Sequence, residues 1–113
     1  MDILFVIDRL ELKYFEFNNL VTNFWLIREL LNENKNVWIT TIDKLGLRAG
    51  EPFTHCFEAY EKDGNIFYDK SEHLKNINDF QLVMFRPDPP VDLDYISATY
   101  SFDFVDRNKT LIL

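Results

Sequence analysis

One cysteine, three glycines and two histidines are all this chain holds of the residues that most often build disulfides, phosphate loops and metal centres. A single cysteine excludes an intramolecular disulfide and agrees with a reducing compartment. Three glycines, none in a GxGxxG or Walker pattern, leave no phosphate-cradling loop. Cys56 follows His55, but adjacent side chains on a strand point to opposite faces, and a zinc site needs more ligands than are present. A buried structural thiol or an idle surface thiol is the expectation, with no metal. Basic charge is scarce too: Lys and Arg number 12 against 19 Asp and Glu, a net charge of -7. The mean field repels phosphate backbones and anionic lipid, and no basic patch offsets it, so neither nucleic acid nor membrane is an expected partner. The longest apolar runs, Ile3 to Ile7 and Leu82 to Phe85, are far too short to span a bilayer, and Met1-Asp2 lacks the basic start of a signal peptide. A cytoplasmic protein is expected.

What is abundant is core material. Of 113 residues 47% are hydrophobic and 16% aromatic, enough for one globular domain over residues 1–113 and far from a disordered composition. "ILFVI" (Ile3 to Ile7) has the unbroken apolar pattern of a strand buried on both faces. Leu20, Phe24, Ile27 and Leu31 recur at helical spacing, with Asn23, Arg28, Glu29, Asn32 and Glu33 off that stripe, which predicts a helix over Thr22 to Glu33. Thr22 or Asn19 is a candidate cap, and "NENKN" ends the helix. "VWITTI" (Val37 to Ile42) is the second strand of a β-α-β unit.

"FTHCFEAYEKDGNIFYDK" reads as an antiparallel hairpin about Asp63-Gly64, a dipeptide favoured in type I′ turns. "SEHLKNINDF" reads as a short helix or turn, "QLVMF" as a third parallel strand, Asp92 to Arg107 as a helix and "TLIL" as a fourth strand. In that helix Tyr95, Ala98, Phe102 and Val105 form one stripe, with Ile96, Tyr100 and Phe104 beside it, which suggests burial on more than one side. The predicted fold is α/β: an open, mostly parallel Rossmann-like sheet flanked by helices, with an inserted hairpin.

Three of the four prolines fall within four residues, in "RPDPP" (Arg86 to Pro90). In open α/β sheets ligands sit beyond the carboxyl ends of the strands, where loops lead into helices. Proline fixes φ and holds its predecessor extended, so Pro87, Pro89 and Pro90 would stiffen a loop carrying Arg86 and Asp88. Two readings stay open on residue types alone. Arg86 grips a carboxylate or phosphate while Asp88 orients it or binds an ammonium group, or the two pair structurally and the prolines cap a loop.

"VMFRPDPPVDLDYISATY", followed by "NKTLIL", resembles the end of the N-terminal domain of prokaryotic glutathione synthetase, where an apolar strand runs into Arg-x-Asp-Pro-Pro, then Ala-Thr-Tyr in a helix, then a Thr-Leu-Ile strand. An opening strand ending in Asp8, the helix "TNFWLIREL" and a hairpin after the second strand extend the resemblance more faintly over the chain. It implies a pre-ATP-grasp domain of a ligase that joins γ-glutamylcysteine to glycine through an acyl phosphate, using ATP and Mg²⁺. In such enzymes the N-terminal domain forms part of the peptide-substrate site, and the central and C-terminal domains hold nucleotide and metal. Carried over, Arg86 and Asp88 would be the substrate-side polar groups and Pro89 and Pro90 their frame. Asp8 and Thr22 would line the same crevice, and Thr99 and Tyr100 match the Ala-Thr-Tyr motif, for which core packing is an equal explanation. Pro87 stands where the family commonly has Lys, Arg9 where it commonly has Pro, and Asn34 where it commonly has a helix-ending Gly.

The leading expectation is thus an N-terminal substrate domain, inactive by itself, whose partners are the remaining domains, the peptide substrate and further copies in a homo-oligomer. The alternative is a stand-alone, non-catalytic binding module of the same fold, with the aromatic run Tyr14 to Phe17 covering a partner. A phosphoacceptor receiver domain, suggested by "ILFVID", needs an acidic cluster that Asp8 alone does not supply.

Overall fold

The computed structural model describes residues 1–8, 12, 22–86 and 93–113. Among these residues eight strands form one sheet: β1 (Asp2–Ile7), β2 (Asn36–Thr41), β3 (Leu45–Arg48), β4 (Glu51–Lys62), β5 (Asn65–Tyr68), β6 (His73–Asn76), β7 (Leu82–Phe85) and β8 (Leu111–Ile112). Two α-helices are described, α1 (Thr22–Asn32) between β1 and β2 and α2 (Leu93–Ser101) between β7 and β8. The order runs β3-β4-β2-β1-β7-β8, with β5 and β6 also paired to β4.

Parallel ladders join β2, β1, β7 and β8. Every ladder made by β4 is antiparallel. The protein is therefore α/β with a mixed sheet. The parallel pattern read from the sequence describes one half of it, and the expected hairpin, β4 with β5, forms part of the other half.

The unbroken apolar run of β1 is explained by two cores. Ile3, Phe5 and Ile7 point to one face and pack with Val37, Ile39, Phe24 and Ile27, the last two from α1. Leu4 and Val6 point to the other, with Trp38, Phe80, Val83, Phe102 and Val105. A central strand with both faces covered has no polar position to spare, and each such side chain contributes about 1.5–3 kcal/mol on burial.

Helix α1 stops where a side chain that tolerates positive φ is available. Asn34 sits at φ 63°. Lys35 N–H donates to the Leu30 carbonyl and Asn34 N–H to that of Leu31, both at 3.0 Å, which is a Schellman closure with Asn in the place of glycine. The Asp63-Gly64 turn has φ 55° and 80°, as a type I′ hairpin requires. A second two-residue turn, Ala49-Gly50 at φ 51° and 78°, joins β3 to β4. The sequence reading missed it because Ala49 carries no turn signal.

Two further expectations are corrected. "SEHLKNINDF" is a strand and then a 3-10 turn: β6 lies along β4, and Ile77–Asp79 forms the turn, with the Asn76 side chain accepting from Asn78 N–H at 2.9 Å. The open edge of β4 offers backbone partners that local propensity does not reveal. The second helix ends at Ser101, followed by a 3-10 turn over Phe102–Phe104, instead of running to Arg107. Ala98, Phe102 and Val105 are buried as the stripe predicts, but Ile96, Tyr100 and Phe104 are 54%, 59% and 42% exposed, so this face is not covered within the described residues.

Candidate functional site

From β1 the chain crosses through α1 to β2 on one side, and from β7 through α2 to β8 on the other. The topological switch of the parallel half therefore falls between β1 and β7, the position where such sheets open a crevice at their carboxyl ends. The two cores place α1 on one face of the sheet and the segment after α2, with Phe102 and Val105, on the opposite face.

Arg86 lies at this opening. Val6 of β1 is in register with Phe85, and Arg86 N–H donates to the Val6 carbonyl at 2.9 Å, extending the ladder one step beyond β7. Its side chain is exposed at the surface, and Nε donates to Oδ1 of Asn23 at 3.2 Å. Asn23 is in the first turn of α1 and only 7% exposed. Asp8, half-buried, follows the last residue of β1, and its carbonyl accepts from Leu12 N–H at 3.0 Å. Three elements thus bring Asp8, Asn23 and Arg86 to one end of the sheet. A permanently charged guanidinium at this point gives the crevice a local positive group in a chain of net charge -7.

Of the other sequence candidates, Thr22 opens α1 at the same end of the sheet. Its side chain lies outside the described residues, as do Asp88, Pro89 and Pro90, together with Pro87 and the aromatic run Tyr14 to Phe17. Thr99 and Tyr100 do not join the crevice residues. The Thr99 hydroxyl donates to the Ile96 carbonyl at 2.9 Å within its own helix. Tyr100 meets Phe104 edge-on at 5.7 Å and lines a separate groove of about 360 Å³ between α2 and β3. Tyr100 is thus surface, not core.

Asn23 was missed, being read only as a polar residue off the apolar stripe of its helix. The available signal was its place in the first helical turn after a parallel strand, where side chains converge on the crevice. Cys56 and His55 diverge as strand geometry demands, Cys56 buried and His55 exposed. Burial pushes the Cys56 thiol up to about 12, which makes it a structural group with almost no thiolate at neutral pH.

Among the described residues no cluster of three or more His, Cys, Asp or Glu side chains is placed to hold a metal ion. The glycines lie in β3 and in the two hairpin turns, none at a helix N-terminus. No helix among the described residues is long and apolar enough to cross a membrane.

Fold and crevice together define an α/β domain that presents a cation at its switch point. Residues 1–113 match, end to end, the family described as prokaryotic glutathione synthetase, N-terminal domain. The chain belongs to that family. It is 29% identical over 94 residues to the glutathione synthetase of Mesorhizobium japonicum, covering 81% of this chain and 30% of that protein. It is 31% identical over 88 residues to that of Thermosynechococcus vestitus, covering 68% and 28% respectively. The match to the Synechococcus elongatus enzyme is 28% identical over 88 residues, 68% of this chain and 27% of the relative. The aligned part is thus under a third of each of these curated relatives.

Proposed function

We propose that residues 1–113 form one Rossmann-like pre-ATP-grasp domain, the part of a glutathione synthetase that receives the peptide substrate, with Arg86 as its anion-binding group. The observation that carries this reading is the placement of Arg86 at the switch point of the parallel half, tied to Asn23 and adjoining the end of β1 at Asp8. γ-Glutamylcysteine is an anionic dipeptide, and a guanidinium is the side chain best shaped to hold a carboxylate by paired hydrogen bonds. Asp8, Thr22 and Asp88 complete the polar lining, Asp88 and Asp8 being suited to the substrate ammonium. Pro89 and Pro90 frame the loop.

ATP and Mg²⁺ would supply carboxylate activation and belong to the remaining domains of the same enzyme. This chain's own contribution is to bind and orient the dipeptide, and alone it does not ligate. The assembly is a cytoplasmic homo-oligomer.

The test is Arg86→Ala in the full-length synthetase. Loss of hydrogen bonds to a charged group is worth about 1.5–3 kcal/mol, or roughly 10- to 100-fold in the Michaelis constant for the dipeptide. The constant for ATP should stay within about twofold, as expected for a residue that touches only the peptide. An unchanged dipeptide constant and turnover would overturn the role.

A further inference from the structure

We infer that Asn23 is a positioning residue for Arg86, fixing the guanidinium so that it meets a substrate carboxylate end-on through its two Nη groups. The inference rests on the proposed role of Arg86 and adds the residue that aims it and the edge it presents.

A guanidinium has two edges that can hold a carboxylate by parallel hydrogen bonds, one formed by Nε and one Nη, the other by both Nη groups. Oδ1 of Asn23 accepts from Arg86 Nε at 3.2 Å and so occupies the first edge. Among the described residues it is the single polar partner of that side chain. Among the described residues no other polar group engages the end-on edge.

The two partners differ in freedom. Asn23 is 7% exposed and held in the first turn of an 11-residue helix, while Arg86 is a long, exposed side chain. An arginine free to rotate loses conformational freedom each time it binds, and a fixed acceptor removes part of that loss beforehand. Neutral Asn does this without cancelling the positive charge, which an Asp at the same place would do. Asn23 acts through Arg86 and need not touch substrate.

Four forms of the full-length enzyme test this: wild type, Asn23→Leu, Arg86→Ala and the double variant. Asn23→Leu should raise the Michaelis constant for γ-glutamylcysteine about tenfold, the effect of one lost charge-assisted hydrogen bond, with the constants for ATP and glycine unchanged. In the Arg86→Ala background it should have no further effect, because nothing is left to aim. An equal rise in both backgrounds would mean a structural role and overturns the inference. If Arg86→Ala alone leaves the dipeptide constant unchanged, it is the proposed function that fails. If Arg86→Ala raises it and Asn23→Leu does not, only the positioning role fails.

A second measurement needs no Asn23 variant. In ¹⁵N spectra of the unmodified 113-residue chain, the Arg86 Nε–H signal, identified by its loss in Arg86→Lys, should exchange with water more slowly than those of the other arginines. Exchange at the rate of a free surface arginine overturns the inference even where Asn23→Leu does not fold.

Discussion

Thr40 and Thr54 are both fully buried in the seam between β2 and β4, just where the ladder of those strands ends after Ile39 and Phe57. The Thr40 hydroxyl donates to the His55 carbonyl at 2.6 Å, and the Thr54 hydroxyl lies 2.9 Å from that of Thr40 and 3.0 Å from the same carbonyl. Each hydroxyl has one proton: Thr40 gives its own to His55, and Thr54 gives its own either to the Thr40 oxygen or to the same carbonyl. The carbonyl therefore has two alternative side-chain donors. In Thr40→Val the Thr54 proton turns to the His55 carbonyl and one hydrogen bond is lost, about 1 kcal/mol. In Thr54→Val the Thr40 donation persists, again at about 1 kcal/mol. The double variant strips the carbonyl of both donors in a desolvated seam, which adds about 1 kcal/mol or more to the sum of the singles.

Urea unfolding followed by tryptophan fluorescence reads this directly, since Trp38 is only 8% exposed beside the seam. Each single variant should lower the midpoint by about 0.5 M and the melting temperature by about 4 °C, with the double falling by more than twice that. Additivity within about 0.5 kcal/mol would refute the redundant-donor reasoning, as would a Thr40→Val cost near that predicted for the double variant.

Three further outcomes follow from other parts of the molecule. Cys56, with its thiol pushed up to about 12 by burial, should resist iodoacetamide at pH 8 in the native chain and react only as urea unfolds it; fast native labelling would contradict its burial. Gly64→Ala should destabilise by about 1–2 kcal/mol, because φ is 80° while nothing lies within 4 Å of the added methyl, so a midpoint shift with unchanged β-sheet circular dichroism is expected. The Glu72 carboxyl is held below its ordinary range, first by the hydrogen bond from Lys44 at 2.8 Å. A carboxylate with a depressed folded pKa stabilises above its unfolded value and loses that contribution as pH falls through the folded one. Glu72→Gln should thus make the acid limb of the stability profile shallower, an effect that 0.5 M salt should also reduce at this exposed site; an unchanged limb would refute it.

The legible part of the fold was the part where one residue's chemistry forces one geometry. Five unbroken apolar residues in β1 left no solvent face for that strand, and both faces are covered. Asn34 and Asp63-Gly64 announced positive φ, and both positions have it. Arg86 after an apolar strand indicated a polar group at a strand's carboxyl end, and the position holds. β6 was not legible because it exists through a partner distant in sequence, the 12-residue β4, and β3 was not legible because it is four residues long and its hairpin turn opens on Ala49, which carries no turn signal.

The same division separates the candidate site from its support. Sequence by itself determined that the chain is α/β, acidic, poor in metal and phosphate-loop residues, and of the glutathione synthetase N-terminal family through its Arg86 to Tyr100 motif. Tertiary structure alone decided that half of the sheet is antiparallel, that Tyr100 faces a different groove from Arg86, and that Asn23, 63 residues away in sequence, is the side chain that holds Arg86. Residue types are local, while hydrogen-bond partners are set by the crossing of strands and helices, and that crossing is settled only when both cores close.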